Sequence, residues 1–161
     1  MKTKIKTNKL KTIDMEIALA EFFEPRINLV VPNISWGIGI HECDLFVLTK
    51  SGYAYEVEIK VSMADLKKDC EKHHQHLSNK IKKFYFAIPY YMVGDDALAC
   101  IPARAGIIVV DARHQCAVIR EAEVNNSSIK FSDEYRFKIA RLGALRIWTL
   151  KRKIVKILKR I

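Results

Sequence analysis

The sequence contains no CxxC pair: its four cysteines, Cys43, Cys70, Cys100 and Cys116, lie far apart. That spacing indicates no disulfide framework and reads as small buried or semi-buried thiols in a reducing compartment. No apolar run approaches the roughly 18 residues a membrane-spanning helix needs. The amino end, "MKTKIKTNKLKT", is basic but is followed by no apolar stretch or small-residue cleavage site, so no secretion signal is expected and a cytoplasmic location is. There is no internal repeat and no low-complexity tract. With 161 residues and half of them hydrophobic, the chain is expected to form one main domain that needs neither disulfides nor metal to fold.

Acidic residues are also missing from both ends. The lysines at 2, 4, 6, 9 and 11 meet no acid before residue 12, and residues 136–160 hold ten Lys/Arg and no Asp or Glu. Residues 13–135 carry thirteen basic residues against all eighteen acids, so an acidic body, net −5, bears basic ends. Such ends suit a polyanion, nucleic acid or an anionic membrane; the acids of the body require a different explanation, such as a metal.

Apolar residues at 13, 17, 20 and 23 predict a first helix over 13–24, ended by Pro25, with Glu16 on the edge of its stripe. "RINLVV" reads as a strand closed by Pro32, and "NISWGIGI" as a loop or bent strand. "HECDLFVLT" and "YAYEVEIKV" are two strands of a hairpin. Ser62, with Asp65 three residues later, opens a helix by a capping pattern. "KKFYFAIP", "AGIIVVDA" and "QCAVIRE" are further strands, residues 89–105 an irregular connection with a short helix, and the chain from about Asp133 one long helix.

The hairpin turn sets a register. A three-residue loop Lys50-Ser51-Gly52, with Gly52 in the left-handed conformation of a type I turn plus bulge, pairs residues whose numbers sum to 102. Asp44 then lies opposite Glu58, Glu42 opposite Lys60 and Phe46 opposite Glu56, all on one face. A two- or four-residue loop would split Asp44 from Glu58. Facing carboxylates repel, and a divalent cation offsets the repulsion; hard oxygen ligands suit Mg²⁺ or Mn²⁺. Lys60 would reach the same phosphate or the attacking water, a compact arrangement for phosphodiester hydrolysis.

"ECD" followed by "EIK", preceded by a helix bearing an acid and followed by a Ser-capped helix, resembles the core of the PD-(D/E)XK nuclease superfamily. The longer run from "ECDLFVLTKSGYAYEVEIKVSMADLKKDCEK" through "KFYFAIP" to "AGIIVVDA" more narrowly resembles the MmcB family of DNA-repair-associated proteins, over about residues 12–122. The resemblance implies an α/β fold with a restriction-endonuclease-like core: a small mixed sheet flanked by helices, over 13–132. It also implies a Mg²⁺-dependent deoxyribonuclease site of Asp44, Glu58 and Lys60, with Asp44 and Glu58 on the metal and Glu16 completing the metal site or orienting a water. The superfamily's usual proline before the motif aspartate is replaced by Cys43. Asp65, Asp69 and Lys72 fit the helix of this family. The basic tail, 1–12, and the basic helical extension, 133–161, lie outside the core. DNA is the expected partner, RNA the less favoured one; Lys72, Arg141, Arg146, Lys151 and Arg152 are the candidate contacts to its backbone.

Other readings compete. The charged strand face could be a solvated sheet surface; Phe46 and Leu48 on it favour a covered site instead. Glu42 reads as a ligand or as the salt-bridge partner of Lys60, and Glu56, nearer the turn, as a solvated or hydrogen-bonded acid. Cys70, His73, His74 and His76 lack a second loop of ligands for structural zinc. Trp36 reads as core more readily than as a base-stacking residue. Ile147, Leu150, Ile154, Ile157 and Ile161 form a stripe that must be buried, on its own domain, in a homodimer, beside DNA or, less favoured, on a membrane. A non-catalytic nucleic-acid-binding or scaffold protein that keeps the nuclease fold is the alternative function.

Overall fold

The central strands are buried on both faces along most of their length, while β-branched and aromatic residues favour the extended chain, and short turns or crossover helices bring the strands side by side. The computed structural model describes residues 9–34, 42–71 and 78–159. In chain order the elements are α1 (Thr12–Phe22), β1 (Leu29–Ile34), β2 (Cys43–Leu48), β3 (Ala54–Ile59), α2 (Met63–Glu71), β4 (Ile81–Pro89), α3 (Asp95–Cys100), β5 (Gly106–Val110), β6 (Cys116–Arg120) and α4 (Asp133–Leu158), with a 3-10 turn over Tyr90–Met92. The six strands form one sheet in sequence order. β1, β2 and β3 are antiparallel, β3, β4 and β5 parallel, and β6 returns antiparallel to β5. The parallel pairs are those joined by a crossover through α2 or α3, since parallel neighbours cannot be linked by a tight turn.

The predicted hairpin register holds: Leu45 pairs with Val57, Phe46 with Glu56 and Leu48 with Ala54. Gly52 has φ +91°, its amide donates to the Thr49 carbonyl at 2.8 Å, and the Thr49 amide donates to the Tyr53 carbonyl at 2.9 Å, the turn-plus-bulge geometry that a three-residue loop requires. Ser62 caps α2, its hydroxyl accepting from the Asp65 amide at 3.2 Å.

Each face of the sheet buries its own core. Phe46, Leu48, Phe84 and Phe86 pack with Leu66 of α2 and Ile139 of α4, and Leu45, Val47, Val57 and Ile59 pack with Met15 and Leu19 of α1. Helices cover both faces, the layered arrangement expected of a mixed α/β sheet. Cys43 is buried and Cys100 and Cys116 are half-buried, all as free thiols.

Three expectations are corrected. Pro32 does not close β1 but sits inside it opposite Leu45; β1 is an edge strand, where a missing amide donor is tolerated. α1 turns Met15, Ala18 and Leu19 inward, leaving Ile13 55% and Ile17 54% exposed. On α4 only Ile139 is fully buried; Ile147, Leu150, Ile154 and Ile157 stand exposed, so the apolar stripe does not pack on its own domain. No helix among the described residues is long and apolar enough to cross a membrane.

Candidate functional site

β3 lies third in the sheet, antiparallel to β2 and parallel to β4. Its pairing with β2 runs from Ala54 to Val57, whereas its pairing with β4 continues through Glu58↔Phe86 and Ile59↔Ala87. β2 and β3 therefore part just past Leu45 and Val57, and Asp44, Glu58 and Lys60 stand where they separate. The Asp44 carboxylate accepts from the Ile59 amide at 2.8 Å, and the Lys60 amide donates to the Ala87 carbonyl at 3.0 Å. Those bonds fix the backbone from which all three side chains project.

The charged face is not solvated. Glu58 and Lys60 are each only 7% exposed. The Lys60 ammonium lies 3.1 Å from Glu58 Oε2 and 3.5 Å from Asp69 Oδ2. Asp69 comes from α2, one helical turn beyond Leu66, whose full burial turns that side of the helix toward the sheet. Burial, and next the charge of Asp44, push the Glu58 pKa up to about 7, against the opposing pull of Lys60. For Lys60, burial alone would lower the pKa; the charge and hydrogen bond of Glu58, then Asp69 and Asp44, outweigh it and hold the ammonium above its ordinary value. Cys43, next to Asp44 in sequence, has its thiol pushed far up by burial and then by Glu56, Glu58 and Asp44, so it stays neutral and is no nucleophile.

Asp44, Glu58 and Lys60 thus come together, as the turn predicts. Glu16 carries a bond of its own: its carboxylate accepts from Asn33 Nδ2 of β1 at 3.4 Å, and the pairs Pro32↔Leu45 and Ile34↔Cys43 set Asn33 level with Asp44. Asn33, at φ +53°, also lends its carbonyl to Arg146 of α4, so Glu16, Asn33 and Arg146 tie α1 and α4 to the sheet edge. Glu42 is exposed just before β2, and Lys60 takes Glu58 and Asp69 as its partners. Glu56, read as a solvated or hydrogen-bonded acid, is not solvated: it is 2% exposed, between Phe46 of β2 and Phe84 of β4. Arg141 and Arg152 are exposed on α4, and the Lys151 ammonium lies 5.2 Å from the centre of the Trp148 ring. Lys72, His73, His74, His76 and Trp36 lie outside the described residues. Among the described residues no three His, Cys, Asp or Glu side chains converge into a metal-ligating group.

Asp69 is the member of the cluster that periodicity alone does not identify. Its signal is positional: two residues separate Lys60 from α2, so the helix returns over the end of β3, and Leu66 marks which side faces in.

No known family profile matches the chain, and no curated protein matches it. Among solved structures the chain is similar to SPO1766, a protein of unknown function from Silicibacter pomeroyi, with a TM-score of 0.63 at 17% identity over 91% of this chain and 93% of the other. The likeness extends over nearly the whole of both chains and concerns the fold: a mixed α/β architecture shared at low identity.

Proposed function

We propose that the chain is a metal-dependent nuclease of the restriction-endonuclease-like, MmcB-resembling type, hydrolysing DNA phosphodiester bonds in the cytoplasm in a repair, recombination or mobile-element context. The observation that carries this reading is a buried lysine among Asp44, Glu58 and Asp69 at the point where β2 and β3 separate, with the Glu58 pKa raised to about 7. Two carboxylates hold one ammonium there and the charge of Asp44 acts on it from beyond them, and burying such a set costs free energy that a merely structural role would not require.

The donor set fits a hard divalent cation: Asp44 and Glu58 supply carboxylate oxygens around an excess of negative charge, and Mg²⁺ or Mn²⁺ commonly takes one or two carboxylates plus phosphate oxygens. Bound there, such an ion would supply charge neutralisation at the phosphate and a more acidic water. Lys60 would orient the attacking water and steady the charge developing on the phosphoryl oxygens. Asp69, holding the Lys60 ammonium from α2, positions it. Glu16, bonded to Asn33 beside Asp44, would assist by completing the metal site or orienting a water.

A non-catalytic nucleic-acid-binding protein is the second reading. It is favoured by the direct Lys60–Glu58 ion pair together with the Asp44 bond to the Ile59 amide, which satisfy these groups within the chain. The two readings separate on incubation of single- and double-stranded DNA and RNA with Mg²⁺ or Mn²⁺. Cleavage by the wild type that is abolished in Asp44→Ala and in Glu58→Ala, both still folded, supports the nuclease. Binding without cleavage supports the alternative, and full activity in both variants refutes the site.

A further inference from the structure

The distal half of α4 carries an apolar face that its own domain leaves bare. Ile147, Leu150, Ile154, Ile157 and Leu158 are each between 47% and 64% exposed. At 100° per residue they share one arc, and Val155 and Trp148 extend it to about 180°. The opposite arc holds Arg152, Lys153, Lys156 and Lys159, and α4 contains no acid beyond Glu134. Nearer its start the helix packs differently: Ile139 is fully buried, Leu142 rests on the core, Gly143 lies against Val31 of β1, and Arg146 donates to the Asn33 carbonyl. The free face therefore begins where the contact with the body ends.

We infer that this segment, 147–159, is an interfacial helix that lies on an anionic lipid surface. Three occupants compete for the face, and charge decides among them. A second copy of the chain would cover the apolar arc but would face a helix of the same sign, without the opposite charges that flank a paired-helix seam. Nucleic acid would neutralise the cations and leave the apolar arc in water. An anionic bilayer answers both halves at once: its headgroups take the lysines and arginines while the arc sinks into the acyl boundary. Two details agree. Trp148 stands at the edge of the arc, where indole rings settle at a membrane interface, and Lys151, inside the arc, extends its ammonium alongside that ring. A helix that cannot cross a bilayer can lie along it.

The inference is independent of the Asp44–Glu58–Lys60 reading. Its test is flotation of the full chain with phosphatidylcholine vesicles, plain or containing about 30% phosphatidylglycerol. Binding to the anionic vesicles at least tenfold tighter than to the neutral ones is expected, with a blue shift of Trp148 emission in a Trp36→Phe background. Leu150→Glu and Ile154→Glu alter exposed positions, so circular dichroism should stay unchanged while vesicle binding falls tenfold or more. Failure to bind anionic vesicles, or binding that ignores both substitutions, overturns the inference. So does a dimer in sedimentation equilibrium that Leu150→Glu dissociates, which would assign the face to a second copy.

Discussion

Glu58 is held where burial, and then Asp44, disfavour its charge, with a pKa near 7 against an ordinary value of 4.5. Between those two pH values the folded state keeps a proton that the unfolded chain has released, so stability falls as pH rises through that window. Above about pH 7 the whole penalty, roughly 3 kcal/mol, is present. Metal-free Glu58→Gln is therefore expected to be more stable than wild type at pH 8, by about 1–3 kcal/mol, and to lose the slope between pH 4.5 and 7 in urea melts. An unchanged slope would contradict the burial argument. Lys60 opposes the same shift, so Lys60→Met is expected to move the Glu58 titration above its wild-type midpoint, read by carboxyl-carbon NMR. Glu58, Lys60 and Asp44 are legible in the sequence because strand alternation and one glycine place them on a common face. The burial of Glu56 is not legible from the same pattern: it depends on Phe84 of β4, a neighbour that only the parallel crossover brings beside β3.

Among the elements, α1 shows how a helix with apolar residues on several sides hides its inner face. Ile13 and Ile17 make one stripe and Met15 and Leu19 another, and spacing alone cannot choose between them. The sheet chooses Met15 and Leu19, both fully buried. Met15→Ala is expected to cost about 2–4 kcal/mol in denaturant unfolding, and Ile17→Ala within about 0.5 kcal/mol of nothing. The hairpin is the opposite case, legible because its chemistry is local. Gly52→Ala would force an L residue to φ +91° and press its methyl group against the Arg136 guanidinium, and is expected to destabilise by about 1–2 kcal/mol. Pro32 misleads for a different reason. Proline signals a strand end only when both sides of the strand must pair, and β1 pairs on one side.

For the whole molecule, six strands between two helical layers place a buried ion cluster at the β2/β3 separation and leave a basic amphipathic helix projecting from the β1 edge. Strand order and the partner of α4 depend on long-range packing, which periodicity does not encode; the sequence pattern required the α4 stripe to be buried, and the folded chain leaves it exposed. Ending the chain after residue 149 is accordingly expected to change unfolding free energy by no more than about 1 kcal/mol, since every described residue it removes, 150–159, is exposed. The central claim concerns the cluster, and its most direct test is the single-turnover cleavage rate of labelled DNA in Mn²⁺ by wild type and Lys60→Ala. Cleavage by the wild type that falls about a hundredfold or more in the variant is the predicted result. Equal rates, or a wild type that leaves every DNA substrate intact, would contradict it.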